Sequence, residues 1–283
     1  MKILIVGGNS SLGKSLIPVL STVGEVITAG RKGCDLFLDL SGPLEKFVMP
    51  KGVEVVVLVA AHFGGTSDRE IFDAVNTNVL GTLKLCQTAV KHNVKHFVLI
   101  SSIFTESRKS FNLFNIYTLS KKHSEEIAKL YCSLNLLPLT IIRPARIYGN
   151  EETFRKHQPF FYSIIDMAQR GEDINIYGSN DAVRNYIHVD DLSAIVSEVI
   201  SKKVYGSYSC VYPTNITYSQ IAKSAIVNFH KNGKVKFLKN KPNIPDDIFK
   251  INNLLYKKIG HHPQISIDYG IKKIVAYRKN MQI

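Results

Sequence analysis

Lys2-Ile3-Leu4-Ile5-Val6-Gly7-Gly8-Asn9-Ser10-Ser11-Leu12-Gly13 decides how this chain is read. Five residues, four of them apolar and β-branched or leucine, predict a buried strand, and the glycine-rich run after them predicts a tight turn into an apolar helix. In such a strand–turn–helix, small residues let the backbone approach a pyrophosphate, whose charge is met by main-chain amides and by the positive end of the helix. Gly7, Asn9, Ser10, Ser11, Leu12 and Gly13 are therefore the first candidate cofactor residues. Ser10 stands where a middle glycine is expected, which makes the closest approach slightly cramped.

Working outward, strand-length apolar runs alternate with helix-period segments. The expected strands are Lys2 to Val6, Glu25 to Ala29, Val53 to Ala60, His96 to Ser101 and Leu137 to Arg143, and the expected helices are Leu12 to Thr22, Ile71 to His92 and Asn115 to Leu134. This is the pattern of βαβ units building a parallel sheet covered on both faces. Beyond Tyr148-Gly149 the alternation loosens and Gly and Pro become more frequent. The division expected is a dinucleotide-binding domain over 1–150 and a mainly substrate-binding lobe over 151–283, interleaved with the first. The second predicted strand ends in Ala29-Gly30-Arg31-Lys32, where a site for NAD would offer an acid to the ribose hydroxyls. Arg31 and Lys32 suit a 2′-phosphate instead, so NADP(H) is expected over NAD(H).

Tyr117 and Lys121 lie four residues apart on a predicted helix, fifteen positions after Ser102. Positions i and i+4 share a helix face, so the ammonium is expected to lower the pKa of the phenol, and a Ser102 hydroxyl to bond the same substrate oxygen. That set of groups suits proton transfer at a carbonyl/alcohol carbon.

Composition narrows the classes. At 283 residues the chain buries a full core unaided, and Cys34, Cys86, Cys132 and Cys210 show no metal-ligand spacing, so no metal is expected and the thiols read as those of a reducing compartment. The short apolar start and the absence of a long apolar run favour a soluble, cytoplasmic protein without a membrane partner. Lys plus Arg exceed Asp plus Glu by 36 − 23 = 13, and residues 231–283 hold twelve of those bases against three acids. They are scattered among apolar helical positions without clustered aromatics, so a solvated exterior is expected and nucleic acid is not.

With these residues in hand, the chain resembles the extended short-chain dehydrogenases/reductases, the NAD(P)-dependent nucleotide-sugar epimerase/dehydratase/reductase family. The likeness runs from Gly7–Gly13 through Asp39-Leu40, Ala60-Ala61, Asn76 to Thr82, Ser101-Ser102, Tyr117 to Lys121 and Arg143 to Gly149 to Arg184 to Asp191 and a closing Ile267 to Lys273. It implies a Rossmann-type doubly wound α/β sheet with a smaller mixed α/β substrate lobe. It implies that Ser102, Tyr117 and Lys121 are catalytic, that Lys121 also holds the nicotinamide ribose, and that Asp39, Leu40, Ala60, Ala61, Asn78 and Pro144 line the cofactor. Arg184 is implied to grip the diphosphate of a nucleotide sugar, with Arg146 at a substrate contact where many members carry asparagine. His188, Asp190 and Asp191 are implied to be structural, and a homodimer is implied by analogy.

Departures from the family pattern narrow the chemistry. Members that dehydrate at C5–C6 follow the catalytic hydroxyl with an Asp-Glu pair, whereas Ser102 is followed by Ile103 and Phe104, which cannot move protons. No Cys/His pair like that of the 3,5-epimerase/reductases is present. The expected function is NADPH-dependent reduction of a nucleotide-activated 4-keto(-6-deoxy)hexose. The alternative is a UDP-hexose type 4-epimerase with bound NAD, and the reading from another class is a non-catalytic NADP-binding sensor. The short spacing between Ser102 and Tyr117 implies a trimmed active-site loop.

Overall fold

The computed structural model describes residues 1–106 and 115–281. The trimmed loop inferred above falls largely on 107–114, outside the described residues. The chain forms two compact units: Met1–Pro144 with Ser193–Cys210 and Leu254–His261, and Ala145–Leu192 with Val211–Asn253 and His262–Ile283.

In the first unit, β1 (Lys2–Val6), β2 (Glu25–Gly30), β3 (Leu36–Phe37), β4 (Val55–Leu58), β5 (His96–Ile100) and β6 (Leu139–Pro144) form one parallel sheet that the strand Gly206–Cys210 completes. The order is Gly206–Cys210, β6, β5, β4, β1, β2, β3. This is the doubly wound arrangement expected, with chain order reversing between β1 and β4, where such sheets bind ligands. Ile3, Ile5, Val56, Val57, Phe97 and Leu99 are fully buried, which is why these strands read as unbroken apolar runs rather than as alternation. The strand expected over Val53 to Ala60 is shorter because Val59 and Ala60 already peel away, both amides donating to the Val6 carbonyl. The two-residue β3 carries too little pattern to be seen in the sequence.

Helix α1 (Ser11–Leu20) follows the glycine-rich turn. The helix expected from Ile71 begins earlier, as α2 (Asp68–Ala74), because Ser67 and Glu70 form a reciprocal capping box ahead of the first apolar residue. It continues through a wider π turn, Val75–Leu80, into α3 (Gly81–Lys91). Helix α4 (Ile116–Leu134) is capped by Asn115, whose side chain accepts from the Thr118 amide. Among the described residues no helix is long and apolar enough to cross a membrane.

The second unit is mixed α/β. Arg146–Tyr148 pairs in parallel with Tyr186–His188, Val183–Arg184 pairs antiparallel with Ile216–Thr217, and Ile174–Tyr177 pairs in parallel with Val235–Leu238. Helices Pro159–Arg170, Tyr218–Asn228 and Ile267–Asn280 pack with them. Part of the basic C-terminal stretch is tied down here, since Arg278 is buried against Glu152, Asp166 and Gln169, and Lys273 pairs with Asp190.

His96 lies buried at the start of β5, its Nε2 2.7 Å from Thr140 Oγ1, and burial lowers its pKa to about 4. The ordinary histidine value near 6.5 applies to the unfolded chain. The folded pKa is the lower one, so stability is complete above about pH 6.5 and is lost as pH falls toward 4. Urea unfolding at stepped pH is expected to show this loss, with a shallower pH slope in His96→Gln; identical slopes in variant and parent would refute it.

Candidate active site

The turn after β1 is built for close approach. Gly7 has φ +97°, and a Cβ there would lie 2.6 Å from the Ala60 amide nitrogen; a Cβ on Gly13 would lie 2.3 Å from the Gly7 carbonyl. Only glycine fits either place. Ser10, which the sequence alone suggests is cramped, plays a structural part: its hydroxyl donates to the Gly7 carbonyl at 2.7 Å and accepts from the Gly13 amide at 3.0 Å, capping α1. The turn is thereby closed by its own side chain, and the helix N-terminus with the Ser11 and Leu12 backbone stands at the β1–β4 reversal. Asn9 is exposed at the tip. The close packing at Gly7 and Gly13 draws the end of β1, the residue Ala60 after β4 and the first turn of α1 tightly together.

Around this turn, Arg31 and Lys32 are exposed at the end of β2. The nearby acid, Asp35, is turned back onto the strand, accepting from the Thr28 amide at 2.8 Å and its hydroxyl at 2.7 Å, and these bonds hold its carboxyl below the ordinary value. Asp39 is half-buried and Leu40 buried. Burial works to raise the Asp39 pKa, but the Ser41 hydroxyl and amide, with the charges of Arg31 and Lys84, hold it below normal. Asn76 and Lys84 bind the carbonyls of Ser41 and Gly42, fastening that loop to the α2–α3 helix. Ala60 and Ala61 are half-buried beyond β4, and Pro144 ends β6.

Asn78, in the π turn, is buried and committed. Its amide donates to the His62 carbonyl at 2.8 Å and to Ser120 Oγ at 2.9 Å, and its oxygen accepts from the His62 amide at 2.7 Å. It clamps the loop after β4 to helix α4. Between clamped His62 and Gly64 sits Phe63, whose ring stacks on Tyr117 with centroids 4.7 Å apart.

Tyr117 and Lys121 do occupy successive turns of α4. Lys121 is 2% exposed, and its ammonium donates to the Ile100 carbonyl at 2.6 Å, at the end of β5 and two residues before Ser102. Burial lowers its pKa to about 8, with Glu125 opposing. Burial raises Tyr117 to about 12. The lowered phenol expected from the i, i+4 spacing is therefore corrected: the lysine spends a donor on the strand end, and desolvation governs the phenol. Ser102 is buried, its Oγ accepting from the Phe104 amide at 3.4 Å.

In the second unit, Arg146 and Arg184 both pair with Asp247, Arg184 at 3.4 Å. Arg184 is 5% exposed and also donates to Tyr218 Oη at 2.9 Å and to the carbonyls of Val183 and Pro245. The guanidinium read as a diphosphate grip is thus already engaged by a carboxylate. His188 accepts from the Asp190 amide at 3.2 Å, and Asp191 accepts from the amides of Gln264 and Ile265.

A sequence model of the NAD dependent epimerase/dehydratase family matches residues 3–212. The chain belongs to that family. It is similar to a putative UDP-glucose 4-epimerase of Methanocaldococcus jannaschii, 23% identical over 84% of this chain and 81% of the relative. It is likewise similar to the CDP-abequose synthase of Salmonella typhimurium, 21% identical over 73% of each. Among solved structures, UDP-glucose 4-epimerase of Thermotoga maritima with UDP-glucose superposes at TM-score 0.78, with 21% identity and all of both chains covered. RMD of Pseudomonas aeruginosa complexed with NADPH superposes at 0.82, with 14% identity and 99% of both chains covered. At such identities these likenesses speak for the fold. Family membership makes the chain an NAD(P)-dependent enzyme of the extended short-chain dehydrogenase/reductase type.

The glycine cradle generates a direct test. Gly13→Ala puts a methyl into the Gly7 carbonyl, and we expect dinucleotide affinity, followed by fluorescence titration, to fall at least ~10-fold, about 1.4 kcal/mol, with the far-UV spectrum retained. Unchanged affinity in the folded variant would show that the turn does not hold the dinucleotide.

Proposed function

We propose that the protein is an NADPH-dependent reductase of a nucleotide-activated 4-keto(-6-deoxy)hexose, with Ser102, Tyr117 and Lys121 as its catalytic residues. The observation that carries this reading is the exposed pair Arg31 and Lys32 at the end of β2, which suits the 2′-phosphate of NADPH, the cofactor of a net reduction. Tyr117 rests as a protonated phenol near neutrality and can give its proton to a carbonyl oxygen. The nicotinamide, when bound, supplies the hydride. Tyr117 delivers the proton, Ser102 bonds the same oxygen, and the Lys121 ammonium, one turn along α4, opposes the charge left on the phenolate.

Cofactor choice follows from the end of β2. Asp35, though exposed, is bonded to Thr28, which leaves Arg31 and Lys32 as the uncommitted charged side chains there, and they favour a 2′-phosphate. For the substrate, Arg146 and Arg184 bring two guanidiniums to one carboxylate, an arrangement whose net positive charge favours a diphosphate. The names of several relatives favour the second reading, a UDP-hexose 4-epimerase with NAD. A homodimer through the α2–α3 and α4 surface is supported by its exposed Phe72, Leu130 and Leu134.

Incubating the protein with NADPH or NADH and a panel of nucleotide-linked 4-keto-6-deoxy and ordinary hexoses separates the readings. Net NADPH consumption is expected; isomerisation without it would mean an epimerase. Tyr117→Phe should lose at least ~100-fold in turnover while still binding cofactor, whereas a sensor has no turnover to lose. Arg31→Ala with Lys32→Ala should raise the NADPH KM at least ~10-fold with NADH little changed; a parent preference for NADH would overturn the cofactor assignment. Turnover should also fall as pH rises through about 8, where Lys121 loses its proton, and a flat profile to pH 10 would contradict its role as a cation.

A further inference from the structure

Glu125 is a buried carboxylate that the reaction described above does not use. It lies on α4 four residues beyond Lys121 and is 2% exposed. Three elements converge on it. Ser101 Oγ donates to its Oε1 at 2.5 Å, Thr105 Oγ1 lies 2.9 Å from the same oxygen, and Arg143 of β6 forks onto it with Nε at 2.9 and 3.1 Å and Nη2 at 2.5 Å. Arg143 also reaches Glu106 at 2.7 Å, and Glu106 accepts from Ser209 at 2.9 Å. The buried Glu125 carboxylate is thus faced by the cations Arg143 and Lys121 and, at 3.9 Å, by the more exposed Lys129, while the exposed Glu106 takes the other end of Arg143.

Ser102 lies in the middle of this arrangement. The carbonyl of Ile100 is held by Lys121, the amide of Ser101 donates to the Ile142 carbonyl at 2.7 Å, and the Ser101 hydroxyl is held by Glu125. On the far side, the Ser102 carbonyl accepts from the Thr105 amide at 3.1 Å and lies 2.8 Å from the Thr105 hydroxyl, the group that also faces Glu125. The backbone is therefore fixed on entry to Ser102 and on exit from it, and one carboxylate serves both sides.

We propose that Glu125 is a positioning residue for the reaction: through Ser101 and Thr105 it sets the Ser102 hydroxyl against the helix face that carries Tyr117 and Lys121. The proposal rests on the assignment of Ser102, Tyr117 and Lys121 as the catalytic groups. A carboxylate that only filled the core would cost stability when replaced. A positioning carboxylate also costs turnover, because small misplacements of a catalytic group lower kcat with little effect on ground-state binding.

The experiment measures kcat, the KM values for NADPH and for the keto sugar, and thermal unfolding for the parent, Glu125→Gln, Glu125→Asp, Ser101→Ala and Thr105→Val. Glu125→Gln is expected to lower kcat at least ~10-fold with both KM values within about threefold, and Glu125→Asp to recover part of the loss. Ser101→Ala and Thr105→Val, which leave the Glu125–Arg143 pair in place, are expected to lower kcat at least ~3-fold while unfolding near the parent temperature. If Glu125→Gln does not fold, these two variants decide. A parent that turns over, beside folded Ser101→Ala and Thr105→Val with parental kcat, overturns the proposal and leaves the reductase reading standing. A parent without turnover on any substrate of the panel sinks both.

Discussion

The buried ammonium of Lys121, donating to the Ile100 carbonyl where β5 ends, is the constraint from which the rest of the site follows. An unpaired cation in a protein interior is costly, so its surroundings must supply opposite charge and hydrogen-bond acceptors. Glu125 supplies the charge from the next turn of α4, and the strand end supplies the acceptor. Because the lysine is pinned to the strand, helix α4 cannot turn or slide along the sheet without breaking that bond, and Tyr117, one turn earlier, is held with it. Burial of the same region then shifts both groups: it pushes the phenol up to about 12 and brings the lysine down to about 8.

A second set of bonds fixes the turn after β1 and the loop after β4. Ser10 closes the glycine turn onto α1, and Asn78 clamps the loop after β4 to Ser120 of α4. Asn78 thus links the strand–turn end of the crevice to the helix that bears Tyr117. Its place in a π turn has a physical sense, since the wider turn interrupts the regular ladder of the long α2–α3 helix at the point where an inward polar side chain is needed.

Much of this was legible in the residues. The strand–turn–helix at Lys2–Gly13, the apolar runs of β1, β4 and β5, and the Tyr117/Lys121 spacing are local patterns, and local patterns read well because their period and glycine content follow from backbone geometry. What was hidden depended on contacts between distant segments. Nothing near Tyr117 in sequence says that Lys121 will bond Ile100 or that desolvation will outweigh its charge at the phenol. Ser10 reads from the sequence only as a slightly cramped but tolerated residue, because its capping bond is visible only once α1 exists. Glu125 was missed although the i, i+4 step from Lys121 was there to be followed, because its partners Ser101, Thr105 and Arg143 come from other elements. Arg184 matched a motif, but its pairing with Asp247 spans 63 residues of chain.

The central claim is that α4 and the end of β5 are locked together so that a protonated phenol and the Ser102 hydroxyl converge on one carbonyl oxygen. A crystal structure of the protein with NADPH and a nucleotide-linked 4-keto sugar tests it most directly. The account predicts the Tyr117 and Ser102 hydroxyls both within hydrogen-bond distance of the C4 oxygen, with Lys121 still at the strand end and Glu125 still on Ser101. Tyr117 turned away from the sugar and the nicotinamide ring, or Lys121 released from Ile100 with its helix displaced, would contradict it.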